Sequence, residues 1–440
     1  MEGYMTAIRR PFCTKEQLET IAKKYPTPFY LYDEKGIRDT ALKVKAAFSW
    51  NKGFKEYFAV KATPNPIILA IMREYGFGFD CSSEAELMLM EAMGVPGEDI
   101  MFSSNDTAAA DFAYAHRLYA QINLDDITHI KTLESVIDKL PDFISLRFNP
   151  GGAFKFANGI FGSPQDAKFG FTEDQVIEAV RYLQSKGVKR FGLHALLASA
   201  TLSDDYYPTV AKFLCRLAVR LKQELSADVT LINLSGGVGI PYKPTDPANN
   251  IEVIGEKVHQ VFDEILKPAG MQDVALATEM GRFMLGPYGA LVTRVINLKH
   301  TYDDYVGVDA CAADLMRPML YGAYHYITVI GKEDEPKNHT YSVTGGLCEN
   351  SDRFATHRPL PEVETGDLLF IHDCGAHGHA MGYNYNGKLR SAEILLREDG
   401  STMLMRRRET PMDYFVTLDC LPIYRTLQAI YDRKLERGEH

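Results

Sequence analysis

A chain of 440 residues with 46% hydrophobic and 24% charged residues has the balance of an ordinary globular protein and the length for two domains. Its net charge of −10 and pI near 5.7 argue against a nucleic-acid partner, and its longest basic run, Arg406-Arg407-Arg408, reads as a solvated strand end. The opening Met1-Glu2-Gly3-Tyr4-Met5 lacks the pattern of a signal peptide, no apolar stretch has the length of a membrane span, and seven scattered cysteines without a CxxC pair read as reduced thiols, so a cytoplasmic protein with no metal site and no membrane partner is expected.

In chain order, Thr14 to Gln17 reads as a capping box that opens a helix running toward Tyr25. Pro26 and Pro28 end it, and Phe29-Tyr30-Leu31-Tyr32 reads as a strand. Short apolar runs then alternate with helical stretches as far as about residue 290. The runs are Tyr57–Val60, Gly78–Asp80, Met101–Ser103, Gln121–Leu124, Ile144–Phe148, Phe191–Ala195, Leu231–Ser235 and Ala275–Met280. Between them, segments such as Ala85–Met93, Gln175–Lys186 and Val210–Leu225 carry helical periodicity. A doubly wound sheet also alternates, but eight strands each followed by a helix is the count of a (β/α)8 barrel. Polar residues close the runs: Lys61, Asp80, Asn123, Arg147, His194, Ser235-Gly236-Gly237 and Glu279. In a barrel those ends meet at one mouth.

Beyond about residue 290 the pattern becomes that of an all-β domain. Leu291–Leu298, Tyr324–Ile330, Thr340–Val343, Asp367–His372, Ala392–Arg397 and Thr402–Arg407 read as strands, and little helix follows until Leu421–Leu435. The expected division is a barrel over residues 35–290 and a β-rich sandwich or barrel domain built from 1–34 and 291–440.

Several short motifs carry chemistry-bearing residues. Lys61 ends an apolar strand, where poor solvation lowers an amine's pKa and frees it as a nucleophile. Taken alone, it reads better as a strand end in solvent. Gly236 and Gly237 follow a strand, where glycine lets backbone N–H groups approach a phosphate; most such clusters are simply tight turns. Glu279 and Arg282 follow the last barrel strand and offer a buried carboxylate and an anion-gripping guanidinium, or a structural ion pair. Gly345–Asp352 and Asp373–Gly378 place a thiol, acids and a histidine in glycine-flexible loops.

Taken together, six segments in order resemble the alanine-racemase-like (fold type III) decarboxylases that use pyridoxal 5'-phosphate, and most closely the diaminopimelate decarboxylases. They are YFAVKATPNP (57–66), FDCSSEAEL (79–87), LSGGVGIPY (234–242), TEMGRFMLGP (278–287), VDACAADLMRPMLYGAYH (308–325), and the pair GGLCENSD (345–352) with HDCGAHGHAMGYNYN (372–386). The resemblance implies a cofactor held as a Schiff base on Lys61, with Asp80 in support. It implies a phosphate cradled by Gly236, Gly237 and the Gly281-Arg282 backbone, and a ring nitrogen kept protonated by Glu279. Arg282, Arg317 and Tyr321 match positions that grip a substrate carboxylate; Arg317 and Tyr321, four apart, face one pocket if they span one helical turn. Glu349 matches the position for the distal ammonium, and Cys348 the acid that returns a proton after CO2 leaves. In that family the last two reach across a homodimer.

Two departures stand out. Where the family carries a His-x-Gly-Ser segment, this chain has Leu196-Leu197-Ala198-Ser199, so Leu196 falls at the histidine that covers the ring; His194 lies two residues earlier on the same strand face. His377 replaces the common tyrosine and keeps a donor for phosphate or carboxylate, but one whose charge changes near neutral pH. The expected reaction is decarboxylation of meso-2,6-diaminopimelate to L-lysine. Alternatives are a carboxynorspermidine, ornithine or arginine decarboxylase, a racemase, and a catalytically dead, partner-binding paralogue. Lys61, Glu279 and Cys348 together speak against the last.

Overall fold

The computed structural model describes residues 9–154 and 163–438; the extreme N-terminus read above lies outside them. Two compact units are present. Gly36–Pro241 with Thr245–Gly286 forms one, and the described residues of Met1–Lys35, Tyr242–Pro244 and Pro287–His440 form the other.

The first strand, β1 (Phe29–Asp33), belongs to the second unit. The next eight, β2 (Lys55–Ala59), β3 (Gly78–Cys81), β4 (Ile100–Ser103), β5 (Gln121–Leu124), β6 (Phe143–Arg147), β7 (Arg190–His194), β8 (Asp228–Asn233) and β9 (Ala275–Thr278), pair in parallel and close into a barrel. All eight expected runs are therefore barrel strands. Pleating sends alternate residues inward, and Tyr57, Met101, Leu231 and Ala277 fill the interior. The helices dock on the outside through apolar faces. Tyr206–Leu225, for example, buries Val210, Leu214, Leu217 and Leu221 at three- and four-residue spacing. Caps fix the loops that follow the strand ends. Asn65 accepts the Ile67 N–H ahead of a helix with Pro66 in its first turn, and Ser83 accepts that of Glu86.

The second unit holds one nine-stranded mixed sheet. Its strands are β1, β10 (Gly289–His300), β11 (Asp304–Val308), β12 (Ile327–Val329), β13 (His339–Thr344), β14 (Arg353–Leu360), β15 (Leu368–Ile371), β16 (Ala392–Leu396) and β17 (Thr402–Arg406). The order is β14-β13-β11-β10-β1-β16-β17, with β15 also on β10 and β12 on β15. Leu18, Ile21, Phe29, Leu31, Val292, Phe370 and Ile394 make its core. Leu18 and Ile21 come from the expected first helix, Lys15–Lys24, whose Thr14–Gln17 capping box forms with both bonds. The basic run ends a strand as expected: Arg406 is exposed, and its guanidinium reaches the buried Glu393 at 2.6 Å. All seven cysteines are free thiols. Among the described residues, no helix is long and apolar enough to cross a membrane, and no cluster of side chains is arranged to hold a metal ion.

Candidate active site

The mouth of the barrel is built at the strand ends. Lys61 sits on a single 3-10 turn, Val60–Ala62, straight after β2. Its Nζ donates to Asp80 Oδ2, from the neighbouring β3, at 3.0 Å. Asp80 has no exposed side-chain surface, whereas 46% of the Lys61 side chain remains accessible, so the amine is deeply set yet reachable. The lowered pKa expected for Lys61 does not hold. Burial does pull it down, but the charges of Asp80 and Glu279 outweigh burial and raise it above the ordinary lysine value. Asp80 moves upward in turn, because burial and the Glu279 charge exceed the pull of Lys61.

Glu279 lies just past β9 and is almost wholly buried. Its Oε1 accepts from Asn233 Nδ2 at 2.7 Å and its Oε2 from Ser235 Oγ at 2.7 Å. His194 Nε2 stands 3.4 Å from Oε2. Burial alone would raise the Glu279 pKa; the His194 ring, the Lys61 charge and the Ser235 hydroxyl overcome it and hold the carboxyl below its usual range. His194 is thus turned toward Glu279, while Leu196, beyond the end of β7, is half-buried.

The glycine loop follows β8. A Cβ on Gly236 would stand 2.8 Å from Glu279 O. One on Gly237, at φ +105°, would stand 2.5 Å from the Tyr206 ring. Side chains are therefore excluded and bare backbone lines the turn. Thr201 N donates to Gly237 O and Gly239 N to Thr201 O, each at 2.9 Å, which stitches the loop to the segment carrying Ser199. Gly281 and the half-buried Arg282 open the short helix Gly281–Leu285, which begins two residues after Glu279.

The second unit carries the remaining expected residues. Arg317 and Tyr321 do bound one helical turn, but in different settings: Arg317 is 2% exposed and Tyr321 44%. Arg317 Nη1 donates to His325 Nε2 at 2.9 Å, and its guanidinium lies 4.6 Å from the centre of the Tyr242 ring. Arginine is always a donor, so His325 Nε2 accepts and its proton sits on Nδ1, which donates to His372 O at 2.8 Å. Cys348 and Glu349 lie exposed on a loop. Asn386 Oδ1 accepts the Cys348 N–H at 2.8 Å, and the Tyr385 hydroxyl donates to Glu349 Oε1 at 3.3 Å. The buried Asp352 secures the base of that loop by accepting from Leu347 N and Ala312 N. His377 is half-buried with a left-handed φ of +55°.

Sequence reasoning passed over Asn233 and His325, and named Ser235 as a strand-end residue without giving its hydroxyl a partner. Asn233 obeys the strand-end pattern that singled out its neighbours. His325 closes a matched segment but has no signature of its own.

The barrel mouth suits a phosphorylated, aromatic aldehyde cofactor. It offers an accessible amine, a bare-backbone cradle and an ionised carboxylate. Two buried polar atoms, Asp80 Oδ1 and His194 Nδ1, have no hydrogen-bond partner among the described residues. Residues 35–286 match the family model for the pyridoxal binding domain of pyridoxal-dependent decarboxylases. Protein TabA of Pseudomonas amygdali pv. tabaci is 39% identical over 407 residues, covering 92% of this chain and 94% of its own. The diaminopimelate decarboxylase of Methanothermobacter thermautotrophicus is 31% identical over 395 residues, covering 89% and 92%. The crystal structure of the M. jannaschii diaminopimelate decarboxylase in co-complex with L-lysine superimposes with a TM-score of 0.81 at 27% identity, covering 90% of this chain and 93% of that one. With an amine, a glycine cradle and a carboxylate meeting at the mouth of such a barrel, the chain belongs to the pyridoxal-dependent decarboxylases and is an amino-acid decarboxylase of the diaminopimelate decarboxylase type.

Proposed function

We propose that the chain decarboxylates meso-2,6-diaminopimelate to L-lysine and CO2. The observation that carries this reading is the buried Arg317, held in place by His325 and the Tyr242 ring. A fixed guanidinium suits a planar carboxylate. Diaminopimelate keeps a distal carboxylate that ornithine and lysine lack. Arg282, Tyr321 and His377 join Arg317 in gripping carboxylate, and Glu349 receives the distal ammonium.

Pyridoxal phosphate, when bound, supplies the electron sink for the pair left behind by CO2. Lys61 holds it. The proton that Lys61 must shed to become a nucleophile has an acceptor 3.0 Å away in Asp80, whose pKa is pushed upward. Glu279 keeps a proton on the ring nitrogen, and its low pKa suits a carboxylate that stays ionised. Gly236, Gly237, Ser199 and the Gly281-Arg282 backbone would receive the phosphate, and either Leu196 or His194 would cover the ring. The Cys348 thiol returns a proton to the carbon that lost its carboxylate. Because Cys348 and Glu349 are exposed on a loop, they are available to a second copy of the chain, which supports a homodimer with shared sites.

A second reading, a related amino acid as substrate, is favoured by one finding. TabA shares more identity with this chain than the diaminopimelate decarboxylase of M. thermautotrophicus does. The substitutions at 196 and 377 lie where such a change would act.

Release of CO2 from meso-diaminopimelate, lysine, ornithine, arginine and carboxynorspermidine tests the assignment. Turnover of meso-diaminopimelate above the others is expected, and no release from it would remove the reading. Borohydride reduction of the loaded protein, followed by peptide mass analysis, should place the pyridoxyl group on Lys61. A Lys61→Ala protein that is still labelled would overturn that role.

A further inference from the structure

Behind the wall of the barrel lies a carboxyl group that the reaction does not use. Glu56 is on β2, five residues before Lys61, and is completely buried. The pleat that turns Tyr57 inward turns Glu56 outward, between the barrel and its helices. It pairs in register with Thr278 at the seam where β2 meets β9 and the barrel closes. There the ladder ends, and the backbone donor of Met280 has no strand partner to meet. Glu56 takes its place: Oε1 accepts the Met280 N–H at 2.6 Å, and Oε2 bonds the Thr278 hydroxyl at 2.5 Å. One side chain thus grips the residues immediately before and after Glu279. The N–H of Glu279 itself is held by Ser235 O at 2.7 Å. That same carbonyl receives the Tyr207 hydroxyl at 2.5 Å, also from outside the wall.

We infer that Glu56 is a positioning residue that fixes the Thr278–Met280 backbone from outside the barrel, so that the Glu279 carboxylate is aimed at the ring nitrogen of the bound cofactor. A hydrophobic residue would close the seam as well but could not accept the Met280 N–H. Burial pushes the Glu56 carboxyl up to about 8, against the pull of Thr278 and Met280, so at neutral pH the neutral acid predominates; it then accepts from Met280 on Oε1 and gives its own proton from Oε2 to the Thr278 hydroxyl oxygen. A neutral acid adds no second negative charge beside Glu279. The inference rests on the proposed role of Glu279, and the experiment separates the two.

The protein loaded with pyridoxal phosphate is compared as wild type, Glu56→Leu, Glu56→Gln and Glu279→Gln. The readouts are the ratio of the cofactor's two visible absorbance bands at fixed pH, the Kd for pyridoxal phosphate, and kcat and KM on the substrate chosen by the panel above. Glu56→Leu is expected to shift the band ratio in the direction of Glu279→Gln. It should lower kcat about tenfold while KM stays within about twofold. Glu56→Gln, which can accept from Met280 and donate to Thr278, should restore the band ratio and most of kcat. A Glu56→Leu protein with wild-type bands and kcat overturns the inference, provided Glu279→Gln is altered. An unaltered Glu279→Gln overturns the role of Glu279 and the inference with it. Should Glu56→Leu fail to fold, Thr278→Val replaces it. It removes one of the two bonds, so a smaller shift of the same sign supports the inference and an unshifted spectrum overturns it.

Discussion

The two units hold their chemical groups in opposite ways. At the barrel mouth every group is gripped by others from different strands: Glu279 by Asn233, Ser235 and His194, and Lys61 by Asp80. In the second unit, Cys348 and Glu349 stand exposed, tied by one bond each to the neighbouring turn at Tyr385 and Asn386. Interlocked burial suits chemistry common to all amino-acid substrates, where a shifted carboxylate is costly. An exposed loop on a rigid base suits the part that changes between substrates. Of the substrate-facing residues expected in the second unit, Arg317 is treated as a barrel residue is, buried and oriented by a neutral imidazole.

The contrast breaks most easily at Cys348. Cys348→Ala should lower kcat about a hundredfold and leave the cofactor's absorbance unchanged, since the thiol is expected to touch only the proton transfer. Mixed with inactive Lys61→Ala under conditions that exchange subunits, it should recover about a quarter of wild-type activity if sites are shared across a dimer. No recovery in a verified mixed dimer would place both residues in one chain's site.

A smaller effect tests the exception. His325→Leu removes the acceptor that orients Arg317, leaving a buried charged donor with one partner fewer. Loss of such a bond is worth about 1.5–3 kcal/mol, so KM for a dicarboxylate substrate should rise about tenfold or more. KM for a monocarboxylate should move little. An equal rise for both would mean that Arg317 does not read the distal group.

The smallest effect is on stability and concerns the barrel wall. The folded pKa of Glu56 is raised from 4.5 to about 8. The folded state therefore binds the proton more tightly than the unfolded chain does. This contribution to stability is complete below pH 4.5 and is lost as pH rises through about 8. Thermal unfolding of the cofactor-free protein should give a Tm that falls across that window, and Glu56→Gln should flatten the fall. An unchanged slope would mean that Glu56 is ionised in the folded protein.

The barrel was legible because its eight strands are short apolar runs with polar ends, and that pattern survives without knowing which strands pair. The second unit was less so. Arg353–Leu360 escaped notice because His357 takes a left-handed φ of +46° and Pro359 lies near the strand's end, and its register with β13 shifts twice. The alternation that marks a strand is lost there. Asp304–Val308 is short and carries Gly307 in its interior. At the site, the strand-end pattern placed Lys61 and Glu279 at one mouth, and the matched motifs gave them roles. The direction of the Lys61 pKa was out of reach, because the decisive charge arrives from β3 and a lysine's own strand shows only its apolar neighbours. Glu56 was invisible for the same reason: its partners are more than 220 residues away.

The position of β1 has a consequence for synthesis. This strand leaves the ribosome before every other described strand, yet its two neighbours are β10, beginning at Gly289, and β16, beginning at Ala392. One edge of Phe29-Tyr30-Leu31-Tyr32 thus waits unpaired while the whole barrel is made, and the other until most of the second unit has followed. During that interval its unpaired backbone groups are open to mispairing, which makes the strand one that chaperones would protect.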